Sequence, residues 1–336
     1  MSIRTIRHQI ALAAVAATLS GAALAASNVQ IYGVVDMGIT KGNGGQSSHP
    51  GALGTNDAWQ VKQASSSRLG FRGTEDLGNG WSAGFLLEHR FNPDTGEKNA
   101  TAPFFMQSTV SLTSKDLGTL WMGRDYIPAF WVALKADPFG MDGVGQMGLG
   151  GLMANFSSNS EIANRTNNSV GFKSKRWNGF SADAAYSMGE DQGPSQSGFN
   201  VQYQSGPLYA GLGFAKKNSP VAASLTNNDE LLNVAVAYSF DKFRVMGYVA
   251  ESKNKNYDLK TRVYALGADA KVGNGRVKLA YYDLDANQAS NDRRKLGVGY
   301  DYDLSKQTRL YFDAGVAQQK NKSSNSAFGV GIRKAF

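Results

Sequence analysis

Hydrophobic and polar residues alternate along most of this chain with a period of two. In Asn233-Val234-Ala235-Val236-Ala237-Tyr238-Ser239-Phe240, the residues Val234, Val236, Tyr238 and Phe240 share one face. Leu296, Val298, Tyr300 and Tyr302 do the same, as do Leu310, Phe312, Ala314 and Val316. The intervening positions carry Gly, Ala, Asn, Asp, Arg and Lys. Alternation sustained over eight to ten residues predicts β-strands with one greasy and one wet face. The final segment, Ala327-Phe328-Gly329-Val330-Gly331-Ile332-Arg333-Lys334-Ala335-Phe336, keeps the pattern to its last, bulky residue.

Turn chemistry divides the strands. Short connections fall at 75–80, 114–118, 272–275 and 303–307. Longer ones fall at 42–56, 92–102, 126–164, 217–229 and 253–258. Sixteen strands fit between them, the first beginning near Val29 and the last ending at Phe336. A soluble sandwich would bury the apolar faces against a second sheet. Here aromatic residues gather at strand ends, as in Tyr238/Phe240 and Tyr300/Tyr302, which suits the interface girdles of a lipid-embedded barrel. Lipid offers no hydrogen bonds, so a sheet can cross it only when closed. Closure assigns Phe336 a lipid-facing place beside the first strand, around Ile31. Lys334 shares that face and is tolerable only at a rim, where its ammonium reaches water.

The start of the chain reads as an export leader. Arg4 and Arg7 precede an apolar run from Ile10 to Leu19, and Ala23-Leu24-Ala25 has a small-x-small cleavage pattern. The alternative, a membrane anchor, would need a longer run to cross ~30 Å of hydrocarbon. Removing the first 25 of 336 residues leaves 311, residues 26–336, as one barrel domain. Two arginines go with the leader, so the net charge falls from +8 to +6. The chain has no cysteine, so no disulfide staples it. Beyond the leader only His49 and His89 remain, which leaves little material for histidine-based metal or acid–base chemistry.

Several segments resemble the general porin family of Gram-negative outer membranes, in its neisserial and β-proteobacterial branch. Val29-Gln30-Ile31-Tyr32-Gly33-Val34-Val35-Asp36 resembles the family's first strand. Ser66-Ser67-Arg68-Leu69-Gly70-Phe71-Arg72-Gly73-Thr74-Glu75-Asp76-Leu77-Gly78 resembles its second strand and first turn. Leu120-Trp121-Met122-Gly123-Arg124-Asp125-Tyr126 and Asn167-Asn168-Ser169-Val170 are similar to the strands flanking the third loop, and Asp137-Pro138-Phe139-Gly140 to a motif within it. Gly331-Ile332-Arg333-Lys334-Ala335-Phe336 is similar to the last strand and its terminal assembly signal, which the resemblance places at Phe336. The resemblance implies an all-β, 16-stranded antiparallel transmembrane β-barrel with an inward-folded third loop. It further implies a homotrimer in the outer membrane, passing small hydrophilic solutes and inorganic ions, without a cofactor.

Alternation assigns the side chains near that loop. Leu69 and Phe71 face lipid, so Arg68 and Arg72 face the lumen. Glu88 and Arg90 lie opposite Phe85, Leu87 and Phe91. Val170 and Phe172 put Lys173 inside, with Arg165 if the pleat reaches it. Arg124, opposite Trp121, is read as lumenal too. The resemblance places Arg68, Arg124 and Arg165 in the family's basic cluster, with Asp137 and Asp142 of the loop as opposing charges. Such charges across a narrow water path filter solutes by size and sign. Each arginine has a plainer reading as a solvated or wall-paired charge. Phe105-Met106-Gln107-Ser108-Thr109-Val110 lacks the bases that related sequences carry before Ser-Thr-Val, so the expected anion preference is mild.

Other functions fit less well. Gly143-Val144-Gly145-Gln146-Met147-Gly148 matches G-x-G-x-x-G, but no helical pattern follows it. The bases are spread over many strands, which argues against nucleic acid. A substrate-selective channel on the same fold would use an aromatic ladder, and Tyr209, Tyr282 and Tyr311 have inward parity. A Ser–His hydrolase needs a histidine within reach of an oriented serine, whereas His89 has lipid-facing parity and His49 sits in a loop. An adhesive role of the outer loops is compatible with transport.

Overall fold

The computed structural model describes residues 28–42, 58–98, 103–147, 164–190, 194–218, 229–254, 259–287 and 292–336. The leader at 1–25, His49 and Gly148 lie outside the described residues. The strands are β1 (Asn28–Gly42), β2 (Trp59–Lys62), β3 (Arg68–Gly78), β4 (Trp81–Asn92), β5 (Glu97–Lys98), β6 (Phe105–Ser114), β7 (Gly118–Tyr126), β8 (Arg165–Ser174) and β9 (Phe180–Ser187). They continue with β10 (Ser195–Ser205), β11 (Leu208–Asn218), β12 (Asp229–Ser239), β13 (Phe243–Asn254), β14 (Leu259–Val272), β15 (Gly275–Ala286), β16 (Arg293–Asp303), β17 (Thr308–Gln319) and β18 (Asn325–Ala335). One helix, α1 (Pro128–Leu134), follows β7.

These segments build a closed antiparallel barrel of sixteen wall strands. β2 and β3 are two parts of one wall strand, since both pair with β1: Gly38–Lys41 with Lys62–Trp59, and Asn28–Val34 with Thr74–Arg68. β5 pairs only with the tip of β4. Among the described residues no helix is long and apolar enough to cross a membrane. The crossing elements are strands, whose backbone groups all find partners once the sheet closes.

Side-chain parity follows the sequence pattern. Val234, Val236, Leu279, Val298 and Phe312 are exposed on the outside, while Asn233, Ala235, Ala280 and Lys295 are buried within. Tyr238, Phe240 and Phe243 form an outer aromatic run near the short-turn end, with successive ring centroids 4.7 and 4.2 Å apart. The turn Gly78-Asn79-Gly80 holds all three residues at positive φ (80°, 51° and 78°), which only glycine and asparagine adopt readily.

β18 closes on β1 with Val34 opposite Ala335 and Gly42 opposite Ala327. Phe336 extends this ladder by two backbone bonds to Gly33, Gly33 N–H to Phe336 O at 3.0 Å and Phe336 N–H to Gly33 O at 3.1 Å. Its neighbour is therefore Gly33, two residues along from the expected Ile31. The Phe336 ring lies over Gly33 on the outer face, where any Cβ would collide with it. Deleting Phe336 removes both bonds and the ring, so the amount of folded barrel in the membrane should fall several-fold. Channels that do assemble should conduct normally. Heat-modifiable gel mobility of membrane fractions reads the first quantity, and unchanged assembly would contradict a closing role for Phe336.

Candidate functional site

The segment after β7 turns into the barrel. Tyr126 and Ile127 lead into α1, which begins with Pro128, whose missing N–H costs nothing at a helix start. Two buried wall asparagines hold the helix: Asn200 Nδ2 donates to Pro128 O at 2.8 Å and Asn233 Nδ2 to Ala129 O at 3.0 Å. Glycines on the inner wall leave space for the loop; a Cβ at Gly213 would crowd Ala129 and one at Gly297 would collide with Gly145 O. Further along, Lys295 Nζ donates to Gln146 O at 2.5 Å and Gly143 N–H to Ala64 O at 3.2 Å.

Asp137 organises the loop's tip. It is 3% exposed, and its carboxylate accepts from Phe139 N–H at 3.0 Å, Met141 N–H at 3.0 Å and Tyr282 OH at 2.9 Å. Met141 has φ +64°, an unfavourable value for its side chain that the Asp137 bond helps to hold. Burial pushes the Asp137 carboxyl above its ordinary range, and these hydrogen bonds pull the other way. The expectation of Asp137 as a charge opposing the arginines across open water is corrected here: it is turned into its own loop and fixes that loop's shape.

Asp142 does face the water path, 3.0 Å from Arg333 of β18. Two lumenal cavities meet at this pair, sharing Ala64, Leu134, Gly140, Asp142 and Arg333 in their linings. The cavity towards the long loops contains Lys62, Arg68, Arg90, Arg165 and Arg333, facing the carboxylates of Glu88, Asp94 and Asp142. Five cations against three anions leave an excess of two positive charges. Glu88 lies between Arg68, at 3.6 Å, and Arg90, at 3.2 Å, and accepts from Tyr32 OH at 3.3 Å. Arg90 also donates to Tyr126 OH at 2.9 Å. Arg165 hydrogen-bonds that same hydroxyl, and its guanidinium stacks 3.7 Å from the Tyr126 ring centroid. Tyr126 stacks in turn on Phe130 of α1 at 3.9 Å, so the inward loop and the arginines support each other.

The cavity towards the short turns is close to balanced. Lys278 lies 2.8 Å from Asp301 and 3.0 Å from Asp313; Arg309 lies 3.0 Å from Asp301 and 2.6 Å from Asp303; Arg244 lies 2.7 Å from Asp269. Its eight cations against seven carboxylates leave an excess of one, smaller than the excess of two in the other cavity.

Arg124 lines neither lumenal cavity, which corrects the parity read from sequence, although its charge still acts on Arg165. Leu120 and Met122 are the exposed outer residues of β7, while Trp121 is 4% exposed and faces inward beneath Lys173. Arg124 pairs across from Ser108 on the outer side and donates to Asn167 Oδ1 at 2.5 Å. Asp125 takes the inward place instead, accepting from Gln107 Nε2 at 2.7 Å and pairing with Lys173 at 2.8 Å. Lys173 is thus a wall pair, and Gln107 beside it is uncharged. Arg72 points inward near the short-turn end, where it donates to Gln30 at 3.0 Å. Arg333 and Tyr126 were missed as site residues. The inward parity of Arg333 was legible, but its partner Asp142 lies 191 residues away.

The three inward tyrosines do not form an open ladder. Tyr282 holds Asp137, Tyr311 donates to Asp36 at 2.8 Å, and Tyr209 donates to Gln202 at 3.0 Å. His89 stacks on Phe104 on the outer side, away from the lumen.

Comparison with known proteins agrees with this architecture. A family model described as Gram-negative porin matches residues 11–324. The chain is 36% identical to outer membrane porin protein 32 of Delftia acidovorans over 360 residues, covering 97% of this chain and 99% of the relative. It is 25% identical to the major outer membrane protein P.IB of Neisseria meningitidis serogroup B, covering 96% and 98%. Among solved structures it is similar to an anion-selective porin from Comamonas acidovorans, with TM-score 0.80 and 30% identity over 92% of this chain and 100% of that one. Sixteen strands, an inward loop and full-length similarity together make this chain a member of the Gram-negative porin family, located in the outer membrane.

Proposed function

We propose that this porin is a passive diffusion channel with a mild preference for anions, and that it performs no chemistry on the solutes it passes. The observation that carries the reading is the excess of two positive charges around Arg68, Arg90 and Arg165, where the inward loop narrows the lumen. The solved relative described as anion-selective supports the same sign. A substrate-selective channel is less well supported, because the inward tyrosines are engaged with loop and wall groups. In planar bilayers the current should rise in steps and show no saturable block by a single sugar; such a block would favour the selective channel. We further propose a homotrimer, as one solved porin of this fold is described as a trimer form, and cleavage of the leader after Ala25. Detergent-resistant trimers on gels and N-terminal sequencing of the exported protein test these two points.

Asp142 adds a pH dependence. Burial pushes its carboxyl up to about 6, with Arg333 pulling it down. Above that pH the carboxylate offsets Arg333; below it the carboxyl is protonated and the lumen gains positive charge. Anion preference should therefore increase as pH falls through about 6. Asp142→Asn should show the low-pH selectivity throughout, and a step of unchanged size in that variant would contradict the assignment. The groups facing Asp142 include Arg333, Arg68, Arg309, Asp36, Asp313 and Ser65, and the variant separates its titration from theirs.

A further inference from the structure

The helix α1 turns apolar side chains towards water. Its buried residues are Pro128, Ala129, Phe130, Val132 and Ala133, which pack it against the wall. Trp131 and Leu134, three residues apart, share the other face and line the lumenal cavity towards the long loops. Met141, beyond the helix, extends the stripe along the same cavity. All three side chains are half-buried, packed on the loop's core on one side and open to the water path on the other. A helix beside a water-filled lumen would ordinarily present polar side chains to it. Apolar groups on that face carry a solvation cost, which a solute that covers them relieves.

The bases stand across the same cavity. The side chains of Arg68, Arg90 and Arg333 remain 24%, 22% and 29% exposed, so a solute can reach them. Tyr126 joins the two sides, its ring centroid 3.7 Å from the Arg165 guanidinium and 5.2 Å from the Trp131 ring. The apolar stripe thus begins one aromatic ring away from the guanidinium groups. Leu134 and Arg333 also meet where the two cavities join. A cavity of about 910 Å³ has room for a small organic anion and its remaining water. A few charges that fix orientation, beside apolar surface that takes the body, form the layout of a site for such a molecule.

We propose that the channel favours anions with an apolar body, aromatic carboxylates above all, over anions that are hydrophilic throughout. The carboxylate turns to Arg68, Arg90 and Arg333, and the ring lies along Trp131, Leu134 and Met141. Trp131 offers a ring face and Met141 a thioether, both of which suit an aromatic partner. The proposal rests on the anion preference above and names the solute class that it serves. Chloride uses the charges alone, whereas an aromatic carboxylate uses both sides of the cavity.

The test records the purified full-length protein in planar bilayers, in ~0.1 M KCl at about pH 7.5, where benzoate is ionised. Benzoate, gluconate and neutral benzamide are added in turn, and the concentration of each that halves the current is read. Laying one ring face, about 50 Å², against apolar surface favours binding roughly eight-fold, so benzoate should act at roughly one-eighth the concentration of gluconate. Benzamide keeps the ring but not the charge and should act about four-fold more weakly than benzoate. Leu134→Asn with Met141→Gln keeps the volumes but not the apolar surface, and should bring benzoate to within about two-fold of gluconate. Leu134→Asn alone should cut the benzoate advantage about three-fold and serves if the double variant assembles poorly. Equal action of benzoate and gluconate, equal action of benzamide and benzoate, or an undiminished benzoate advantage in both variants would overturn the proposal. A reversal potential of the sign set by potassium, in KCl alone, would instead overturn the anion preference on which it rests.

Discussion

Asp137→Ala should turn a steady channel into a noisy one with larger mean conductance. The carboxylate receives two backbone N–H groups and one phenol inside the barrel. Each donor left unmade in a buried place costs about 1–3 kcal/mol, so the tip of the loop would lose several kcal/mol of local stability. Met141 would then relax from its positive φ. The barrel itself should remain closed, because its ladder does not involve Asp137. The remaining ties, from Asn200, Asn233 and Lys295, keep the loop inside the barrel. Motion should therefore be confined to the stretch beside Arg333, where the two cavities meet. Single-channel recording measures this directly, and a quiet channel of wild-type conductance would show that the loop is held elsewhere. Asp137→Asn keeps one acceptor and should have a smaller effect.

Replacing Arg68 and Arg165 together by glutamine should abolish most of the anion preference. The two charges equal the excess in the long-loop cavity. A unit charge ~6 Å from a passing ion contributes roughly 0.7 kcal/mol in a water-like medium, so two favour an anion and oppose a cation by about 1.4 kcal/mol each, about a hundred-fold in the anion-to-cation ratio before screening and on the order of ten-fold at ~0.1 M salt. Salt screens this, with a Debye length of ~10 Å at 0.1 M and ~3 Å at 1 M, so the difference should shrink at high salt. Arg124→Gln provides a control, since that side chain lies on the outer side of β7 opposite Ser108. A selectivity change from Arg124→Gln equal to that of the pair would contradict the lumenal assignment.

Much of the barrel was legible because alternation is a local signal. Val234, Leu296 and Phe312 announce their faces through their immediate neighbours, and Gly78-Asn79-Gly80 announces its turn. The parity of β7 was misread because Trp121 was taken as a lipid-facing aromatic. In the folded barrel Trp121 is covered from within by Lys173 of β8, whose ammonium also lies over the ring of Trp131 in α1. Gly123, at φ +123°, adds an irregularity in pairing just before Arg124. No local pattern reports either circumstance. The role of Asp137 was hidden for the same reason: its partner Tyr282 is 145 residues away and is reached only because the loop crosses the lumen. The wall strand broken at 63–67 is similar. Asp36 there accepts from Ala64 N–H at 2.8 Å and from Tyr311 OH at 2.8 Å, a junction set by barrel closure. Local residues thus define the wall, whereas the charge balance of the pore depends on which distant groups the loop brings together.

Net positive charge in the lumen beside the inward loop sets the sign of the channel's selectivity. The reversal potential of the wild-type channel in a KCl gradient, kept near 0.1 M where the screening length is ~10 Å, tests it most directly. The potential should take the sign set by chloride and move further that way as pH falls through about 6. A potential at zero, or of the sign set by potassium, would contradict it.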